Sequence, residues 1–220
     1  MTESTATQEI NSIETPDIEV NPKETALVLI EYQNEFTTEG GALHDAVKES
    51  MATTKTLENS KELLDACRAA GCTVVHVPIV YDEGHGEINA NPYGILTAIK
   101  ENEMFKQGTW GAEICETMKP TEGEIVASGK RGLCGFATTN LDFILRQNNC
   151  KNIILGGYLT NCCVESTMRA GYELGYRVFT VKDCTAATSV EAQIAAYKHT
   201  FGMFSVKTTS VQIKEALKKA

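Results

Sequence analysis

The chain has 220 residues, 42% hydrophobic and 22% charged, with a formal net charge of −9. That is enough for one large domain with a full core, and an acidic balance with scattered lysines argues against general affinity for phosphate backbones. Eight cysteines in a chain this long do not make a disulfide scaffold, and neither a signal-peptide core nor a bilayer-length apolar run is present. A cytoplasmic protein with no nucleic-acid or membrane partner is therefore expected.

Residues 1–22 are rich in Thr, Glu, Ser, Asn and Pro with few large apolar groups, which predicts a mobile arm ahead of a single domain over residues 23–220. Ala26-Leu27-Val28-Leu29-Ile30 is a continuous apolar run, the pattern of a strand buried on both faces. A helix follows over about 47–70, ended by Gly71, and Thr73-Val74-Val75-His76-Val77 is a second strand closed by Pro78. The glycine-bearing stretch of about 81–111 predicts a long excursion whose tip covers a pocket. Further strands are predicted at 124–127, 153–155, 177–181 and, more weakly, 203–206. Helices at about 138–147, 162–174, 188–200 and 208–219 fill the gaps.

Strand, helix, strand repeated in this way implies parallel pairing, with helices on both sides of an open sheet. Ligands in such sheets gather beyond the carboxyl ends of the strands. Glu31 follows the first strand, Lys130 the third, and Cys163 opens the helix after the fourth. A thiol at a helix start faces unpaired backbone N–H groups and the positive end of the helix dipole, so a thiolate is expected at Cys163. Glu31 is the candidate proton acceptor and donor, and Lys130 the candidate cation beside the sulfur. The Gly156-Gly157 pair admits the dihedrals that such a turn demands. His76, inside a buried strand, reads as a hydrogen-bonded core histidine, and Asn161 as a helix cap.

Four segments together resemble the isochorismatase-like cysteine hydrolases, a superfamily that includes nicotinamidases and ureidoacrylate amidohydrolases. These are Leu27 to Phe36, Gly129-Lys130 with Phe136, Gly157 to Val164, and Arg177 to Asp183. The stretch Phe105 and Gly108 to Ile114 also resembles the ureidoacrylate-hydrolase-like branch. The resemblance implies a three-layer α/β/α domain with a six-stranded parallel sheet and a catalytic triad of Cys163, Lys130 and Glu31. It also implies a cis peptide between Tyr158 and Leu159 and an oxyanion hole made by the N–H groups of Leu159 and Cys163.

Glu31 departs from the family's usual aspartate. Asp82 and His85 do not reproduce the nicotinamidase metal set, so neither a metal nor any other cofactor is expected. Tyr32 and Gln33 could contact substrate or orient the Glu31 carboxylate, while Trp110 and Phe136 are candidate substrate contacts. Metal-independent cleavage of a C–N bond in a small molecule through a thioester is the leading expectation, and the resemblance implies a homo-oligomer of two or four chains. The alternatives are an idle binding protein, a vinyl-ether hydrolase, and thiol redox work by Cys162 and Cys163.

Overall fold

The structure is a computed structural model that describes Thr5, Gln8 and residues 16–220. Six strands form one sheet in the order β3-β2-β1-β4-β5-β6, every pair parallel. They are β1 (Thr25–Ile30), β2 (Thr73–Val77), β3 (Ile125–Val126), β4 (Asn152–Tyr158), β5 (Arg177–Ala186) and β6 (Val206–Thr208). The chain builds outward from β1 to β3, then returns to place β4 on the other side of β1. The carboxyl ends of β1 and β4 therefore flank the point where the strand order reverses, which is where open α/β sheets form their crevice.

Side-chain alternation along β1 sends Leu27 and Leu29 to one face and Ala26, Val28 and Ile30 to the other. The first face is covered by α1 (His44–Thr54), α2 (Thr56–Ala70) and α7 (Ser210–Lys219), through Val47, Leu63, Leu64 and Ile213. The second is covered by α4 (Leu141–Gln147), α5 (Glu165–Glu173) and α6 (Val190–Ala195), through Leu145, Met168 and Ile194. The three-layer α/β/α expectation holds. Among the described residues, no helix is long and apolar enough to cross a membrane.

Several boundaries differ from those the sequence suggests. The single helix expected over 47–70 is two, because Lys55 takes the left-handed conformation at φ 52° and turns α1 into α2. The last strand begins at Val206, not 203, since Phe201–Phe204 is a helical turn that leaves Met203 65% exposed. The arm boundary also moves. Much of residues 1–22 lies outside the described residues, but Val20 is buried and Ile18 packs on the same core, while the Pro16 carbonyl accepts from Gln212 on α7. The excursion carries one short helix, α3 (Ile95–Glu101), and buries Tyr81, His85, Ile88, Met104 and Phe105.

Candidate active site

Glu31 is the residue on which the site turns. It follows β1 with φ 56°, and its N–H still bonds the Val77 carbonyl at 3.2 Å. A left-handed residue costs a non-glycine side chain energy, so the surrounding structure must hold it there. One consequence is visible in the next residue. Strict alternation would send Tyr32 to the face of Ile30, whereas it joins the face of Leu27 and Leu29. Glu31 is rotated the other way, toward Cys163.

Lys130 reaches Glu31 from the loop after β3. Its Nζ donates to the Glu31 carboxylate and to the Gly132 carbonyl, the latter at 2.5 Å, and both charged side chains are almost wholly buried. The Cys163 thiol lies beside the Glu31 carboxylate, close enough for each to shift the other's ionisation, and Cys162, half-buried, sits next to the same sulfur. The three residues expected to converge are thus brought together.

Burial pushes the Glu31 carboxyl above the usual carboxylate range, and the charge and hydrogen bond of Lys130 offset this only in part. Burial alone would lower Lys130, but attraction to Glu31 and Cys163 outweighs it and keeps the ammonium protonated. The hydrogen bond with Cys162, then burial, then the Glu31 charge push the Cys163 thiol up, against Lys130. This departs from the thiolate expected at a helix start: the sulfur is sealed from water and sits beside a carboxylate. These effects hold the Cys163 thiol toward its neutral form beside the Lys130–Glu31 pair.

The turn that presents Cys163 is built by glycines and buried polar side chains. Gly157 has φ 135°, and a Cβ there would collide with the Ile30 carbonyl, so only glycine lets β4 end this close to β1. The Tyr158–Leu159 peptide is cis, and the Leu159 carbonyl accepts from both Cys162 and Val164 N–H at 3.1 Å. The first turn, Thr160–Val164, is a wide π turn before α5 begins. Asn161 lies inside it at φ −91° and ψ 17°, while Leu159 precedes the turn, so Asn161 is not the helix cap.

Two residues that sequence reasoning missed pin this turn. Gln193 Oε1 accepts from the Thr160 hydroxyl at 2.6 Å and from Ala187 N–H at 2.7 Å. Thr167 donates to the Cys163 carbonyl at 2.7 Å and accepts from Gly135 N–H at 2.8 Å, tying the Cys163 turn to the lysine loop. The only signal either could have given is a polar side chain on the apolar face of a helix. Tyr81 was missed as well. Its ring is buried between His85 and the cluster, its hydroxyl bonds the Arg131 carbonyl at 2.7 Å, and burial plus Glu31 and Cys163 push its ionisation up.

Of the four candidate substrate contacts, Tyr32, Gln33 and Phe136 are engaged with other protein groups, whereas Trp110 is half-exposed. Tyr32 is buried, its hydroxyl 2.6 Å from Ser60 Oγ and donating to the Cys184 carbonyl at 2.8 Å. Gln33 spends its whole amide on protein: Nε2 donates to the Ile79 and Ala112 carbonyls at 2.8 and 2.7 Å, and Oε1 accepts from Ile79 N–H. It stitches the end of β1 to the start of the excursion. Phe136 stacks on Tyr176 at 5.9 Å and fills the space beside Gly171 on α5. Trp110, 49% exposed, lines a groove of about 690 Å³ with Leu57, Glu113 and Pro120, and that groove is not lined by the cluster. Asp82 approaches Arg131, and His85 bonds the Met104 carbonyl through Nε2 at 2.7 Å. His76 bonds Glu124 through Nε2 at 2.9 Å, in keeping with a core role.

An open parallel sheet with a buried cysteine, lysine and carboxylate at its switch point defines the class: an α/β protein organised around a shielded thiol. An Isochorismatase domain family model matches residues 25–212, and the chain belongs to that family, within the isochorismatase-like cysteine hydrolase superfamily. The ureidoacrylate amidohydrolase RutB of Rhizobium rhizogenes is 32% identical over 179 residues, 76% of this chain and 72% of that protein. A cysteine hydrolase from Pseudomonas syringae pv. phaseolicola has a similar structure, with a TM-score of 0.80 at 25% identity, covering 94% of this chain and 99% of that one. The N-carbamoylsarcosine amidase of Thermoplasma acidophilum aligns with a TM-score of 0.66 at 25% identity, over 85% of this chain and 96% of that one.

Proposed function

We propose that this protein hydrolyses a C–N bond of a small amide or ureido compound through a thioester on Cys163, without a metal. The observation that carries the reading is the buried Lys130–Glu31 pair in contact with the Cys163 thiol. The amidohydrolase and amidase among its relatives support the bond type.

As the sulfur attacks the carbonyl carbon, the thiol proton passes to Glu31 and the C–S bond forms. A carboxylate with a raised pKa suits this task, because it is a stronger base while still ionised. Lys130 balances the charge, and the N–H groups of Leu159 and Cys163 receive the developing oxyanion. Collapse breaks the C–N bond as Glu31 returns its proton to the departing nitrogen. Water then gives a proton to Glu31 and attacks the thioester; the C–S bond breaks and the sulfur recovers its proton. Because the thiol is neutral at rest, proton transfer to Glu31 accompanies attack instead of preceding it.

A panel of primary amides, ureido acids and N-carbamoyl amino acids, assayed for ammonia release, tests the bond type. Acid quenching of a turning-over sample followed by intact-mass measurement tests the intermediate. The expected result is an acyl adduct on wild-type protein that is absent from Cys163→Ala, together with loss of turnover. Full turnover by Cys163→Ala overturns the mechanism.

A further inference from the structure

Helix α2 ends in a motif that brings two thiols together far along the chain from the triad. Gly71 takes φ 77°, its N–H bonds the Arg68 carbonyl at 3.1 Å, and Cys72 N–H bonds the Cys67 carbonyl at 3.0 Å. That is the double closure in which the residue after the left-handed glycine packs on the residue five positions earlier. The positions normally held by an apolar contact are here Cys67 and Cys72, whose thiols lie close enough to perturb each other's ionisation. A backbone bond of 3.0 Å between the two residues holds their Cα atoms within the separation a disulfide spans.

Access is unequal. Cys67 is fully buried on the inner face of α2, whereas Cys72 lines a surface cleft of about 380 Å³ with Arg68, Thr121 and Glu124. Cys150 packs on the opposite face of the sheet, with its thiol near the Asn148 carbonyl, so it is not the natural partner.

We propose that Cys67 and Cys72 form a reversible thiol–disulfide site, which a small disulfide such as oxidised glutathione oxidises through the cleft at Cys72. Cys72 sulfur, having lost its proton to solvent, attacks one sulfur of the reagent; that S–S bond breaks and one glutathione leaves as a thiol. Cys67 then loses its proton and attacks the Cys72 sulfur of the mixed disulfide, and the second glutathione leaves. Two protein thiols are oxidised while one disulfide is reduced to two thiols. The hydrogen bond from Cys67 holds the Cys72 thiol below its ordinary ionisation, which suits Cys72 for the first step. The product closes a short loop at the end of α2 and constrains the unfolded chain.

Oxidised glutathione, added to the full native chain and followed by denaturing alkylation and trypsin, provides the test. Cleavage after Arg68 separates the two cysteines, so a disulfide appears as peptide Glu62–Arg68 joined to Ala69–Lys100. The expected result is that linked pair, release of two glutathiones, and a Tm rise of about 5 °C that dithiothreitol reverses. In Cys67→Ser the reaction should stop at a glutathione adduct on Cys72. Recovery of Cys67 and Cys72 both alkylated, or of Cys72 joined to Cys150, overturns the proposal. The readouts are mass and Tm, so the outcome is independent of the reaction proposed for Cys163.

Discussion

Lys130 and Glu31 form an ion pair in which neither side chain has meaningful contact with water, their relative exposures being 0% and 2%. Such a pair is held by mutual compensation: each ion's desolvation is offset chiefly by the other. Removing one partner should therefore do more harm than removing both. Lys130→Met leaves Glu31 uncompensated and is expected to cost about 3–5 kcal/mol of stability, or to protonate Glu31 at neutral pH. The double variant with Glu31→Gln should recover much of that loss in urea unfolding yet stay inactive. Equal destabilisation by the single and double variants would mean that the pair is not coupled.

How much of this was legible beforehand depended on whether a feature is written in local pattern or in backbone rotation. The run from Leu27 to Ile30 announces a strand buried on both faces, and the strand–helix alternation places Glu31, Lys130 and Cys163 at one sheet edge, so the convergence of these three side chains could be read. Tyr32 and Gln33 could not be assigned, because the left-handed turn at Glu31 reverses which face the next residue joins. Nothing in the type of residue 31 signals φ 56°. The helix break at Lys55 was hidden for the same reason, since lysine carries no preference for the conformation it takes there. Thr160 and Gln193 are 33 positions apart, and no local spacing points to their hydrogen bond.

The reassignment of Tyr32 makes a distinct prediction. Its hydroxyl is buried between Ser60 and the Cys184 carbonyl, so Tyr32→Phe strands those partners without touching the cleft. The expected loss is about 1–3 kcal/mol in chemical denaturation, with KM for any substrate unchanged. A selective rise in KM at unaltered stability would return Tyr32 to the binding site.

Acid stability should trace to Glu124. Burial acts to raise its carboxyl, but hydrogen bonds from Arg68, Thr121 and His76 prevail and push it down to about 2 from an unfolded value of 4.5. A folded-state pKa that is depressed gives stability present above 4.5 and lost as the pH falls from there toward 2. The difference corresponds to at most roughly 3 kcal/mol, and to less once solvent screening of the partly hydrated carboxylate is included. His76 adds a loss of the same sign that starts higher, as the pH falls below 6.5, because burial lowers its pKa too. Urea midpoints measured from about pH 7 down to pH 2 should fall in both wild type and Glu124→Gln, but the drop below pH 4.5 should be smaller in the variant. An identical drop in the two proteins would remove Glu124 as its source.

The neutral resting thiol leads to the sharpest separation of reactivity from catalysis. Cys163 is raised by its Cys162 contact, by burial and by the Glu31 charge. In a Cys162→Ala background, where the first cause is gone and only one of the adjacent thiols can be labelled, burial and Glu31 still act. Iodoacetamide labelling of Cys163 should then have its midpoint above the free-thiol value near 8.5. Replacing Glu31 by Gln in that background removes a negative charge and leaves Lys130 facing the sulfur alone. The labelling midpoint should therefore move down in pH, because the thiolate is now better stabilised. Turnover should nonetheless collapse, since no group remains to carry the proton to the leaving nitrogen. A variant whose labelling midpoint rises or stays fixed would show that Glu31 does not govern the ionisation of Cys163. A variant that keeps turning over would show that some other group is the base.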